Sequence, residues 1–231
     1  VDLRTWPRLF VIAERFWSAK ELTDIGDMYD RLKVMDNYGA ETIGLAHHKQ
    51  QIKGFLSLLK NKTELNEVAP LLTFAQALEP AHYYTRHHIK FQQDLYHQQA
   101  PLNLFVDYLP VESFTLIDMT NWFKQYQAGD DKALVKIKNT LQTWQTNSSK
   151  LSDLIINNPK LITLSELVAS FEEFNVIALD ITNHCLDNSY FSVEQSKKIR
   201  RKLAVINSYS SEVIVAGVPL FERLLESCSK K

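Results

Sequence analysis

The chain is 231 residues long, 45% hydrophobic and 23% charged, with 26 basic against 27 acidic side chains. That length and apolar content support a sizeable buried core. A net charge of −1 gives no electrostatic reason for nucleic acid or an anionic membrane as partner, and no apolar run approaches the roughly 20 residues that span a bilayer.

Glycine is scarce, at six residues, and alternating strand-type patterns are nearly absent. An α/β enzyme needs more positive-φ turns than six glycines supply. The pattern therefore predicts an all-α chain, a bundle-like array of helices.

The first helix is predicted from Trp6 to Trp17, with Pro7 in its first turn, where a missing N–H costs nothing. Trp6, Phe10, Ala13 and Trp17 recur at helical spacing, and Leu9, Ile12 and Phe16 widen the apolar stripe. A second helix is predicted over Asp24–Tyr38, with Thr23 as N-cap and Gly39 just past its end. "AHHKQQIKGFLSLLKN" reads as a helix turning Ile52, Phe55, Leu56 and Leu59 inward. In "TELNEVAPLLTFAQALE", Pro70 is expected to kink or split the helix. Tyr83 to Ala100 is helix-compatible, and Pro101 and Pro110 flank a short helix in a bent connection. Helices follow over Phe114–Gln127 and Asp131–Asn147, separated by Gly129. A short helix comes next, then a break at Asn157–Pro159. Thr163 with Glu166 and Ser192 with Gln195 are capping-box pairs, opening helices to about Cys185 and Ser208. Pro219 divides the last segment, Ser210 to Cys228.

The candidate chemistry is sparse. Glu14 and Arg15 are charges in an apolar helix, read as a surface ion pair or cap contact with Arg8 nearby. The histidines are His47, His48, His82, His87, His88, His97 and His184. No His-x3-His pair occurs to make a metal arm, and adjacent histidines point to different helix faces, so no metal ligand is expected. Tyr83, Tyr84, Arg86, His87 and Tyr96 would suit a sugar-facing or interface surface, although a solvated helix is the favoured reading. "KKIRRKLAV", Lys197 to Val205, reads as an exposed basic face. Cys185 and Cys228 could form one disulfide, but cysteine is also a common small core residue, and the core reading is favoured. No phosphate loop, CxxC or G-x-S-x-G occurs.

The string Asp2-x-Arg4-x-Trp6-Pro7-Arg8, followed by Ala13-Glu14-Arg15-x-Trp17-Ser18, resembles the end of the catalytic domain of glycoside hydrolase family 20, the β-N-acetylhexosaminidases. There a "WPR…AER.WS" signature forms the last helix of a (β/α)8 barrel. "MYDRLKVMDNYGAETIGL" continues the resemblance to about Gly44. The remaining chain, especially residues 77–110, resembles, more loosely, a C-terminal helical extension of some bacterial members.

The resemblance implies that residues 1–43 end the catalytic domain and 44–231 form an all-α C-terminal domain. It implies a C-terminal fragment, since the family's catalytic Asp-Glu pair and its substrate-binding Glu would all lie before residue 1. No catalytic, substrate-binding or metal residue and no cofactor is therefore assigned within the chain. The implied parent removes terminal N-acetylhexosamine from glycans by a substrate-assisted retaining mechanism, and a bacterial periplasmic, outer-membrane-attached or secreted location follows by resemblance. The helical part is expected to pack on the barrel or mediate oligomerisation. The first-helix stripe is expected to repack or to make a homo-oligomer contact. The alternative is a helical carbohydrate- or protein-binding module without catalysis.

Overall fold

The computed structural model describes residues 2–60, 64–95, 97–208 and 210–228. Among them run eleven α-helices: α1 (Asp2–Thr5), α2 (Arg8–Trp17), α3 (Ile25–Tyr38), α4 (His47–Leu58), α5 (Ala69–Ala75), α6 (Tyr83–Gln92), α7 (Phe114–Gln127), α8 (Lys132–Asn157), α9 (Ser165–Leu186), α10 (Val193–Ile206) and α11 (Val218–Ser227). Two short strands, β1 (Leu78–Pro80) and β2 (Val213–Val215), pair antiparallel with Leu78 opposite Val215. The chain is an all-α array, as its glycine content and periodicity predict.

The core gathers around α8 and α9. Along α8, Ala133, Leu134, Ile137, Leu141, Trp144, Leu151 and Ile155 are buried at steps of one, three, four or seven residues, which keep one face of a helix. This stripe runs unbroken through "TNSSK", so the two helices predicted from 131 to 157 are a single 26-residue helix. The polar side chains there are absorbed locally. Thr146 donates to the Gln142 carbonyl and Asn147 to the Pro70 carbonyl.

Several predicted ends move for identifiable reasons. α1 ends at Thr5 and α2 begins at Arg8, so the first predicted helix starts later than Trp6. Asp24, not Thr23, caps α3, accepting from the Asp27 N–H. Gly39 does not stop that helix, which continues as a π-turn over Gly39–Ile43 and ends at Gly44, with φ of 84°. That left-handed conformation suits glycine. Pro70 splits its segment into a 3-10 turn, Leu65–Val68, and α5. α6 stops at Gln92, short of Ala100. Thr163 and Glu166 form no capping box, because a 3-10 turn over Pro159–Leu164 runs straight into α9. Ser192 and Gln195 form theirs as predicted. Cys185 and Cys228 are joined in a disulfide tying α9 to the end of α11, which corrects the core-cysteine reading.

The N-terminal segment is fastened to the rest by polar contacts. Leu3 is buried, Arg4 donates to the Val106 carbonyl at 2.7 Å, and Gln50 donates to Asp2 at 3.1 Å. Lys33 pairs with Asp118 on α7. α4 is held against the 3-10 turn Phe105–Tyr108 by a close approach at Gly54. A Cβ there would lie 2.1–2.6 Å from ring atoms of Tyr108. Gly54→Ala is therefore expected to lower stability by about 1–3 kcal/mol through overpacking, despite the helix propensity of about 1 kcal/mol that alanine adds. Urea unfolding checks this, and an unchanged midpoint would mean that Tyr108 swings aside freely.

Candidate functional site

The most chemically distinctive place lies where the end of α3 meets the start of α4. Asp36 sits four residues after the buried Leu32, so it shares that helix's inward face. It is 5% exposed and His47 is 2% exposed. The π-turn and Gly44 return the chain so that α4 begins beside Asp36. His47 Nε2 lies 2.6 Å from Asp36 Oδ1, and His48 Nε2 lies 2.8 Å from Asp36 Oδ2. One carboxylate thus bridges two imidazoles, whose ring centroids are 4.2 Å apart.

Electrostatics follow from that geometry. Burial alone pushes the Asp36 carboxyl up, but hydrogen bonds from His48 and His47 together outweigh it and hold the group below its usual value. The same bond to Asp36 raises His48 above the usual imidazole value, against its partial burial. His47 Nδ1 is buried without a hydrogen-bond partner among the described residues, a cost of about 1–3 kcal/mol that the two-histidine arrangement carries.

The three residues line a cavity of about 280 Å³ shared with Trp6, Gln51 and Gln76. Arg8 and Glu112 also line it, paired at 3.0 Å. Ser113, another lining residue, caps α7 by accepting from the Leu116 N–H and donates its own hydroxyl to the Gln76 carbonyl. The cavity is thus bounded by residues from α1, α3, α4, α5 and the turn before α7, with an aromatic ring and several polar groups.

The expectation that adjacent histidines diverge is wrong for His47 and His48. They occupy the first two positions of α4, where both rings reach past the helix end to one acceptor. Asp36 itself was missed. Its signal was a carboxylate on an apolar helix face, which requires a partner.

The other singled-out residues have structural partners. Glu14 bonds Arg31 on α3 at 2.6 Å, and Arg15 donates to the Leu22 and Ala19 carbonyls. Both belong to local ties, in line with the ion-pair and cap reading. Arg86 bonds Glu212 at 2.7 Å and approaches Asp107 at 3.5 Å, anchoring α6 to the turn before β2. Tyr84 is exposed, while Tyr96 and the side chain of Tyr83 lie outside the described residues. In the basic run, Arg200 pairs with Glu226 and Lys202 with Glu173, on an exposed face of α10.

The first-helix stripe divides. Trp6 and Phe10 are half-buried with rings 4.7 Å apart, and Phe10 reaches Gly39. Ala13 is exposed, and Phe16 and Trp17 are 82% and 91% exposed.

Among solved structures, the chain matches the X-ray structure of the Flavobacterium johnsoniae chitobiase FjGH20. The TM-score is 0.78 at 23% sequence identity, over 97% of this chain and 32% of the chitobiase. The chain has the fold of that part of the chitobiase. It spans about a third of that protein's length. No protein-family profile and no curated protein sequence matches it. Among the described residues, no helix is long and apolar enough to cross a membrane.

Proposed function

We propose that the chain is the C-terminal part of a family 20 β-N-acetylhexosaminidase, a glycoside hydrolase acting on terminal N-acetylhexosamine residues by a substrate-assisted retaining mechanism. Residues 1–43 complete its catalytic domain, and residues 44–231 form a helical domain that supports it. The observation that carries this reading is the shared fold with a GH20 chitobiase over nearly the whole chain. The "WPR…AER.WS" string, which runs from Trp6 through α2 to Ser18, agrees with it. The outward face of α2 supports it as well. Leu9, Ile12, Phe16 and Trp17 are exposed, and large side chains gain roughly 1.5–3 kcal/mol each when covered. A (β/α)8 sheet beneath α2 is the surface such a stripe would cover. In this reading the residues of the chain position and support, while the catalytic carboxylates lie on the barrel.

The test uses a chromogenic N-acetyl-β-glucosaminide. A polypeptide in which these residues continue a family 20 barrel is expected to hydrolyse it, and the 231-residue chain alone to leave it intact. Turnover by the pure chain, abolished by a transition-state mimic, would overturn the reading.

A further inference from the structure

We propose that Asp36, His47 and His48 form a binding site for a divalent first-row transition-metal ion, with Zn2+ the natural probe. Their ligand atoms, two imidazole nitrogens and one carboxylate oxygen, all lie within 4.8 Å of one another. Around a tetrahedral ion with bonds of about 2.0–2.1 Å, ligand atoms stand roughly 3.3 Å apart. The 2.6 Å from His47 Nε2 to Asp36 Oδ1 and the 2.8 Å from His48 Nε2 to Asp36 Oδ2 need to open by about 0.5–0.7 Å to admit the ion.

The donor set selects the class of ion. Two imidazoles with one carboxylate suit zinc, copper, nickel or cobalt, whereas calcium and magnesium call for an all-oxygen shell. Asp36 and His47 are both more than nine-tenths buried, so two of the three ligands are held by packing before any ion arrives. His48 is half exposed and supplies the mobile third arm and the way in. The adjoining cavity of about 280 Å³ leaves room for a water or a small donor as fourth ligand. Three protein ligands with one open position is also the layout of zinc sites that act on a bound water. Arg8 lines the same cavity, but its charge is paired with Glu112 and does not oppose a cation there.

The experiment titrates ZnCl2 into the untagged, EDTA-treated chain by calorimetry, with Co2+ absorption as a second readout of tetrahedral coordination. One equivalent is expected to bind. His48→Gln keeps a hydrogen-bond donor for Asp36 but loses the imidazole, and its circular dichroism melt shows whether it is folded. Loss of supporting outer-shell groups alone costs 10–100-fold in metal affinity, so H48Q is expected to weaken binding by about 100-fold. Asp36→Asn is expected to weaken it to a similar degree. His88→Ala, on the exposed face of α6, is expected to leave it unchanged. No one-to-one binding, or equal affinity in H48Q and the parent chain, would overturn the site. Loss on H88A with H48Q unaffected would do the same, by moving the ion to α6.

Discussion

Replacing Trp144 by alanine is expected to destabilise the chain by about 3–5 kcal/mol. Trp144 is fully buried at the centre of α8. Its ring lies 5.8 Å from that of Phe171 on α9, and its Nε1–H donates to Gln76 Oε1 at 3.1 Å. Truncation opens a cavity between three helices and leaves the Gln76 amide, which also lines the Asp36 cavity, without its anchor. For a chain of this size such a loss corresponds to a melting point roughly 10 °C lower. Trp144→Phe keeps most of the volume and is expected to cost about half as much, from the lost hydrogen bond and residual void. A loss under about 1 kcal/mol for the alanine variant would show that the surrounding helices close the gap.

The second large effect belongs to the disulfide. Cys185 and Cys228 are 43 residues apart in sequence, and closing a loop of that length removes about 4 kcal/mol of chain entropy from the unfolded state. The bond also fastens α11, whose Val218, Leu220, Phe221, Leu224 and Leu225 are buried. The paired Cys185→Ala and Cys228→Ala variant is expected to unfold at a urea concentration well below the parent's. The parent melted in reductant is expected to match it. Equal midpoints with and without reductant would mean that packing of α11 alone holds this end.

Much of the fold was legible where a single physical rule governs. α7 has its predicted bounds because Ser113 is a good N-cap and Gly129, with φ of 100°, ends the stretch. The Ser192–Gln195 box opens α10 for the same kind of reason. Where two rules compete, the sequence misleads. In "TNSSK", small polar residues argue for a break, while the spacing from Trp144 to Leu151 and Ile155 argues for continuity. Burial of that stripe wins, since each apolar side chain outweighs the propensity cost of a serine or asparagine. β2 escaped notice because a three-residue strand is too short to alternate visibly, although Val213, Ile214 and Val215 are all β-branched.

The Asp36 site was the least legible part. Its three residues belong to two helices, and their convergence depends on the π-turn at Gly39–Ile43, which no local pattern announces. Only the place of Asp36, four residues after Leu32 on the apolar side of its helix, hinted at it. The disulfide was equally undetermined, because two cysteines in a chain of this length fit a bridge and a packed core alike until the helices carrying them are placed.

The β1–β2 pair carries one more consequence. It joins residues 78–80 to residues 213–215, separated by more than half the chain. During synthesis, Leu78 and its neighbours leave the ribosome long before their partner strand exists. The local helical contacts of α4 through α9 can form early, but this closure waits for the last turn of the wheel, and long-range pairings of this kind slow folding. Until then the half-built core keeps an open edge beside Ala77 and Leu78, the kind of unpaired, apolar surface that drives aggregation of unfinished chains.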